Sequence, residues 1–364
     1  MPVTIVVGGQ YGSEGKGKTV AALSLLYNSP HVVRCGGPNS GHTVSWRGKD
    51  IVLRQVPAGV VNPKAHLYVA AGCVINEDVL ENELDLLGVP KEFITVDERA
   101  VLVGNEHISS EIQAELSRQI SSTCSGNGAA LAQRLARDPK VVLAQHSFRL
   151  RSRVRIGCVA TRLHTAMEEN EKVIVEGTQG FGLSLLHGLS YPYVTSKDTT
   201  ASGFASEVGI SPRDVSCIIM VVRTFPIRVG GNSGPLPFET TWETIQQTAG
   251  IARDITEYTS VTKRVRRVAR FDFDMIRAAA RYNRPNAIAL LGVDLLAFTN
   301  SNARKFDDFM PNTKEFVANV ERACGAPVVL FGTGQSAQDY FVVEDKLASL
   351  AAFSTDPKRR KLTA

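Results

Sequence analysis

Two lysines set one residue apart among glycines, in Gly12-Ser13-Glu14-Gly15-Lys16-Gly17-Lys18-Thr19, have the plainest chemical purpose in this chain. Glycines let backbone N–H groups wrap anionic oxygens and a lysine adds a point charge. Gly12, then four residues, then Gly17-Lys18-Thr19 satisfies the general phosphate-loop spacing. Lys16 and Lys18 repel one another unless something negative lies beside or between them. Residues 3–7 are apolar and β-branched, and residues 20–27 are apolar and helix-compatible, so the loop is predicted at a strand-to-helix turn.

The same arrangement recurs down the chain. A short strand at 31–34 runs into Gly36-Gly37-Pro38-Asn39-Ser40-Gly41-His42-Thr43, and a buried-strand pattern at 172–175 runs into Glu176-Gly177-Thr178-Gln179-Gly180. Thr123 lies in a small-residue loop, and Thr195 in a hydroxyl-rich stretch at 191–200. An almost unbroken apolar strand at 215–222 leads to Arg228-Val229-Gly230, one at 287–293 leads to Asp294, and one at 328–331 leads to Gly332-Thr333-Gly334. Ligands of open α/β sheets collect at the carboxyl ends of strands, so these loops read as one composite site. Residues 263–270 carry five cations in eight residues. No aromatics interleave and no nucleic-acid module surrounds them, while arginine forks also suit dicarboxylates.

The elements that position these groups are those of an α/β protein. Further strands are expected at 51–56 and 67–71, and helices at 76–87, 108–119 and 129–137, the last with Arg134 and Arg137 on one face. A length of 364 residues with 43% hydrophobic content suits one large domain, placed at residues 1–355, with a basic, disordered tail at 356–364. The net charge of +5, from 41 basic against 36 acidic residues, does not choose between metabolite and nucleic-acid partners. Six scattered cysteines form no C-x-x-C pair, which argues against a disulfide framework or zinc site and for a reducing cytosol. With no signal segment and no bilayer-length apolar run, the expectation is a soluble, cytoplasmic protein with no membrane or nucleic-acid partner.

Taken together, residues 10–18, Gly41-His42-Thr43, Glu176 to Gly180, residues 191–196, residues 262–272, Asp294 and Gly332 to Gly334 resemble adenylosuccinate synthetase, in family order over nearly the whole chain. The resemblance implies a P-loop-NTPase-like fold: a mostly parallel sheet flanked by helices, with large loop and helical insertions. It also implies a homodimer that joins L-aspartate to C6 of a 6-oxopurine nucleotide, using a nucleoside triphosphate and Mg2+. A base takes the N1 proton, O6 attacks the γ-phosphorus, and the aspartate amine displaces phosphate from C6. By resemblance Lys16 and Gln179 would stabilise developing charge, and His42 would act at the triphosphate as acid or electrostatic partner. Ser13 and Gly41 would face the metal. Ser13, Asn39, Thr123, Gln179, Thr195, Val229 and Arg264 would hold the substrate nucleotide, with Arg137 reaching in from the other subunit. Thr262, Arg264 and Arg266 would take aspartate. Gly12, Gly15, Lys16, Gly17, Lys18, Gly41, His42, Thr43, Arg266, Asp294, Gly332 and Gly334 would bind the triphosphate.

Two departures refine this expectation. Synthetases acting on IMP have an aspartate where this chain has Ser13, and a hydroxyl cannot be the same base. A smaller side chain leaves room beside N1 for a 2-amino group and can accept its hydrogen bond. That pattern resembles the viral branch of the family, which uses dGMP on the way to 2-aminoadenine in phage DNA; a host-cytoplasmic viral enzyme is the expectation. An IMP-using synthetase and a non-catalytic nucleotide-binding homologue are the alternatives. The family's guanine-reading Lys-x-Asp is here Gly292-Val293-Asp294, so ATP or dATP is expected in place of GTP.

Overall fold

The computed structural model describes residues 3–259, 264–343 and 345–346. A sheet of ten strands forms its centre, all parallel except Tyr340–Val342, which pairs antiparallel at one edge. From that edge the order is Tyr340–Val342, Val328–Gly332, Ala287–Leu291, Val215–Arg223, Val3–Gly8, Val173–Glu176, His31–Arg34, His66–Val69, Ile94–Asp97 and Arg155–Gly157. The interior strands are largely apolar because both faces are covered, and Val3, Val32, Val33, Val173, Val221 and Ile288 are all buried. The strand order turns around Val3–Gly8, which lies between Val173–Glu176 and Val215–Arg223. Ligands of doubly wound sheets bind outside the carboxyl ends of strands at such a point.

The helix expected at 20–27 runs over Lys16–Leu25, beginning inside the glycine loop, and its first residues are buried. Helix Glu77–Leu87 starts where the Asn76 side chain accepts from Val79 N. A second apolar cluster of Ile227, Trp242, Ile245, Ile251, Ile255, Val268 and Leu295 lies under a small antiparallel sheet of Ile227–Arg228, Arg267–Ala269 and Glu239–Thr240. The centre of the basic run therefore starts a strand and is not all loop.

Several expectations are corrected. The apolar stretch expected as a strand at 51–56 is the second arm of an antiparallel hairpin, His42–Trp46 with Lys49–Leu53, outside the main sheet. His42 and Thr43 accordingly open a strand and do not close a loop. The single helix expected at 108–119 is two, Asn105–Gln113 and Leu116–Ile120, broken at Glu115 with φ 51°. The break redirects the chain so that Leu116 and Ile120 line the central cleft. Strand Ala287–Leu291 stops early because Gly292, at φ 77°, turns into a short 3-10 helix at Val293–Leu295. Arg137 lies beyond helix Asn127–Leu135 at φ 56°, so it leaves the face that carries Arg134. Thr262, Lys263 and the expected tail at 356–364 lie outside the described residues. Among the described residues no helix is long and apolar enough to cross a membrane.

Candidate active site

A cleft of about 480 Å³ opens at the carboxyl ends of the central strands. Gly12, Ser13, Lys16, Asn39, Gly41, His42, Thr123, Gln179, Thr195, Val229, Arg264 and Arg266 all line it, brought together from seven separate stretches of sequence. Gly15, Gly17, Lys18, Thr43, Asp294, Gly332, Gly334 and Arg137 do not.

The phosphate loop is organised by a residue that spacing alone did not single out. The Glu14 carboxylate is buried; Oε1 accepts from Gln10 N at 3.1 Å and Gly12 N at 2.8 Å, and Oε2 meets Lys16 Nζ at 2.5 Å. This is the negative group that lets two lysines share the loop. A Cβ on Gly180 would fall 2.3 Å from Glu14 Oε1 and 2.5 Å from Gln10 O, so the loops after Val3–Gly8 and Val173–Glu176 interlock only through a glycine. Lys18 points elsewhere and donates to the carbonyls of Gly334 at 3.0 Å and Asp339 at 3.4 Å. Burial pushes its pKa down, opposed by Asp339, Asp294 and Asp50.

His42 is fixed by Glu176 and Arg34, which each close a buried strand. Glu176 Oε1 lies 2.5 Å from both His42 Nδ1 and Arg34 Nη1, and Glu176 Oε2 accepts from Ala58 N at 2.7 Å. The carboxylate only accepts and so favours a proton on Nδ1, while the Arg34 Nη1 donor, 2.6 Å from the same nitrogen, opposes it. Burial, then the Arg34 guanidinium, pushes His42 down to about 4, so its imidazole is neutral at neutral pH. Burial pushes Glu176 up, but Arg34 and His42 outweigh it and hold the carboxyl below its usual range. The signal in the sequence was a charged residue ending an otherwise apolar strand.

Arg264 and Arg266 reach the cleft from the basic run, and Arg266 Nη1 donates to Ser13 Oγ. Arg228 is buried over the Tyr11 ring, 4.5 Å from its centroid, and donates to the Pro235 and Tyr193 carbonyls. Glu111 is the sole carboxylate among the lining residues. It is occupied by Gly126 N at 2.9 Å, Gly128 N at 2.7 Å and Ala129 N at 3.2 Å. The cleft thus presents several cations and no free carboxylate, a surface for polyanions.

A second cluster adjoins the loop through Lys18. Asp294 is buried, its Oδ1 has no hydrogen-bond partner, and burial pushes its pKa up. Such an acceptor is costly unless a ligand meets it. Gly332 O accepts from Gly292 N at 3.0 Å, which holds Asp294 beside the Gly332-to-Gly334 turn. No three His, Cys, Asp or Glu side chains among the described residues form a metal cluster. Ser13 and Gly41 offer a hydroxyl and a carbonyl, neutral oxygens that fit a magnesium ion only together with phosphate oxygens.

A model of the adenylosuccinate synthetase family matches residues 5–144 and 140–301. The adenylosuccinate synthetase of Methanocaldococcus jannaschii is 38% identical over 335 residues, covering 91% of this chain and 94% of that protein. That of Pyrococcus horikoshii is 39% identical over 339 residues, covering 92% and 96%. Among solved structures, fully ligated adenylosuccinate synthetase from Plasmodium falciparum superposes with a TM-score of 0.83 at 22% identity, covering 94% of this chain and 100% of that one. Succinoaminodeoxyadenylate synthetase of cyanophage S-2L, bound to dGMP and to dATP as energy donor, gives 0.77 at 27% identity, covering 97% and 99%. The mostly parallel sheet, the loops at its switch point and a match running through most of their length place this chain in the adenylosuccinate synthetase family of C–N ligases.

Proposed function

We propose that the chain joins L-aspartate to C6 of dGMP, spending dATP or ATP, to give 2-amino-2′-deoxy-N6-succinyladenylate, a nucleoside diphosphate and phosphate. One observation carries the reading: Ser13, with a hydroxyl and no charge, stands on the cleft wall where the family resemblance implies a carboxylate for IMP, and no free carboxylate lines the cleft in its stead. The likeness to the cyanophage enzyme bound to dGMP and dATP supports it.

In the first step O6 of the purine bonds to the γ-phosphorus while the bond to the β,γ-bridging oxygen breaks and the nucleoside diphosphate leaves. The N1 proton leaves to a water held by Ser13. In the second step the aspartate amine bonds to C6 and gives up a proton to water, the C6–O6 bond breaks, and phosphate departs. Lys16 and Gln179 would stabilise charge on the phosphoryl group and O6. His42, neutral in this cleft, would meet the triphosphate as a polar partner and not as a resident cation. Asn39, Thr123 and Thr195 would hold the 5′-phosphate, and Arg137, exposed and off the cleft wall, is free to serve the partner subunit of a dimer. Arg264 and Arg266 would grip the aspartate carboxylates. Asp294, Gly332 and Gly334 would line the donor's base and ribose, with Lys18 joining them to the phosphate loop through the Gly334 carbonyl. Magnesium, held by Ser13, Gly41 and phosphate oxygens, would supply charge neutralisation on the donor when bound.

The 38–39% identity to archaeal adenylosuccinate synthetases favours a second reading, turnover of IMP. Aspartate-dependent phosphate release with dGMP, GMP and IMP side by side separates the two. Efficient use of IMP with none of dGMP would sink the first. Undiminished dGMP turnover by Ser13→Ala would remove the held water.

A further inference from the structure

The two arginines that meet at Ser13 come from different parts of the chain and share one acid. Arg223 closes strand Val215–Arg223 and is fixed there by Gln10, which accepts from Arg223 N at 3.0 Å and donates to Arg223 O at 3.0 Å. Its Nη1 lies 3.4 Å from Ser13 O. Arg266 reaches the same residue from the basic run, donating through Nη1 to Ser13 Oγ. Between these guanidiniums stands Glu257, whose Oε1 and Oε2 take Arg223 Nη2 at 2.5 Å and Nη1 at 3.2 Å, with Oε2 4.0 Å from Arg266 Nε.

The backbone reinforces the arrangement. Arg266 N donates to Glu257 O at 2.8 Å, Thr259 N to Arg264 O at 2.8 Å, and Tyr258 bridges Val265 antiparallel. Arg266 Nε donates to Tyr258 O at 3.0 Å, which turns the remaining edge of the guanidinium toward Ser13. Lys16, a further cation of the phosphate loop, is already matched by Glu14. Glu257 is therefore the charge that lets Arg223 and Arg266 both approach Ser13 instead of repelling one another.

We propose that Glu257 is a positioning residue: it sets Arg266 against Ser13 and so couples the basic loop, which takes the incoming aspartate, to the phosphate loop, which takes the nucleotides. The coupling rests on the reading of Arg266 as an aspartate ligand; the placement of Arg266 by Glu257 does not.

Glu257→Gln and Glu257→Asp in the full chain test it by kinetics and by crystal structure. Glu257→Gln is expected to raise KM for aspartate at least tenfold, with kcat and the KM for dGMP within about threefold. Glu257→Asp should recover part of that loss. In the crystal structure of Glu257→Gln the Arg266 guanidinium leaves Ser13 Oγ. An unmoved Arg266, or equal losses toward all substrates together with a lowered melting temperature, overturns the proposal. If the unsubstituted chain shows no aspartate-dependent turnover, the functional reading fails, while the crystal comparison still decides where Glu257 holds Arg266. Should Glu257→Gln fail to fold, Glu257→Asp carries the same comparison.

Discussion

His42 Nδ1 and Glu176 Oε1 lie 2.5 Å apart although 134 residues separate them in sequence. The contact joins the hairpin that follows one strand to the end of a neighbouring strand. It holds the imidazole in place, and Arg34 closes the triangle, its Nη1 2.6 Å from His42 Nδ1 and 2.5 Å from Glu176 Oε1.

Replacing Glu176 by Gln removes the charge between two buried basic groups. Arg34 is then buried without a carboxylate, a loss of about 3 kcal/mol in urea unfolding. The imidazole loses the carboxylate that orients it, so kcat should fall about 100-fold while the KM for dGMP changes little. Nitrogen chemical shifts of His42 in the variant check the tautomer directly.

The depressed His42 pKa makes stability depend on acid. The unfolded chain takes up a proton near pH 6.5, but the folded one does not until about pH 4. Stability is therefore unaffected by this group above pH 6.5 and is lost as pH falls from 6.5 to 4, by at most roughly 3 kcal/mol. Unfolding of His42→Asn in metal-free buffer should show a shallower decline across that window than the unsubstituted chain.

Ser13 sits at φ 55°, a left-handed conformation that aspartate tolerates better than most residues. Ser13→Asp should fold normally and form an ion pair with Arg266. Turnover of dGMP should drop at least 100-fold as the carboxylate crowds the 2-amino group, and turnover of IMP should rise at least tenfold. Parallel assays with both nucleotides measure the exchange.

Asp294 pairs poorly within the protein and should be retained for a ligand. Asp294→Ala is expected to raise the KM for dATP at least tenfold, with the KM values for dGMP and aspartate within twofold. Because the substitution removes a buried, unpartnered acceptor, the melting temperature should stay level or rise. A donor panel and a thermal melt measure both; strict GTP dependence would refute the expected donor.

The strands were legible because their residues are apolar on both faces. His31–Arg34 falls where the sequence places it, and Val215–Arg223 differs by one residue. The loops were legible because glycines and hydroxyls follow each strand. Periodicity missed the break at Glu115, where Leu116 and Ile120 serve the cleft instead of a helix face. The charge pairs Glu14–Lys16, Glu176–His42 and Glu257–Arg223 were not legible as pairs, since two of them bring together residues far apart in sequence. Arg34 and Arg223, each a cation closing a buried strand, were the available clue.

Lys18 grips the Gly334 carbonyl across 316 residues. The first glycine loop is thereby tied to a turn far along the sequence. A chain lacking residues 334–339 should leave the Lys18 ammonium without either carbonyl, so the glycine loop would lose its hold on that turn.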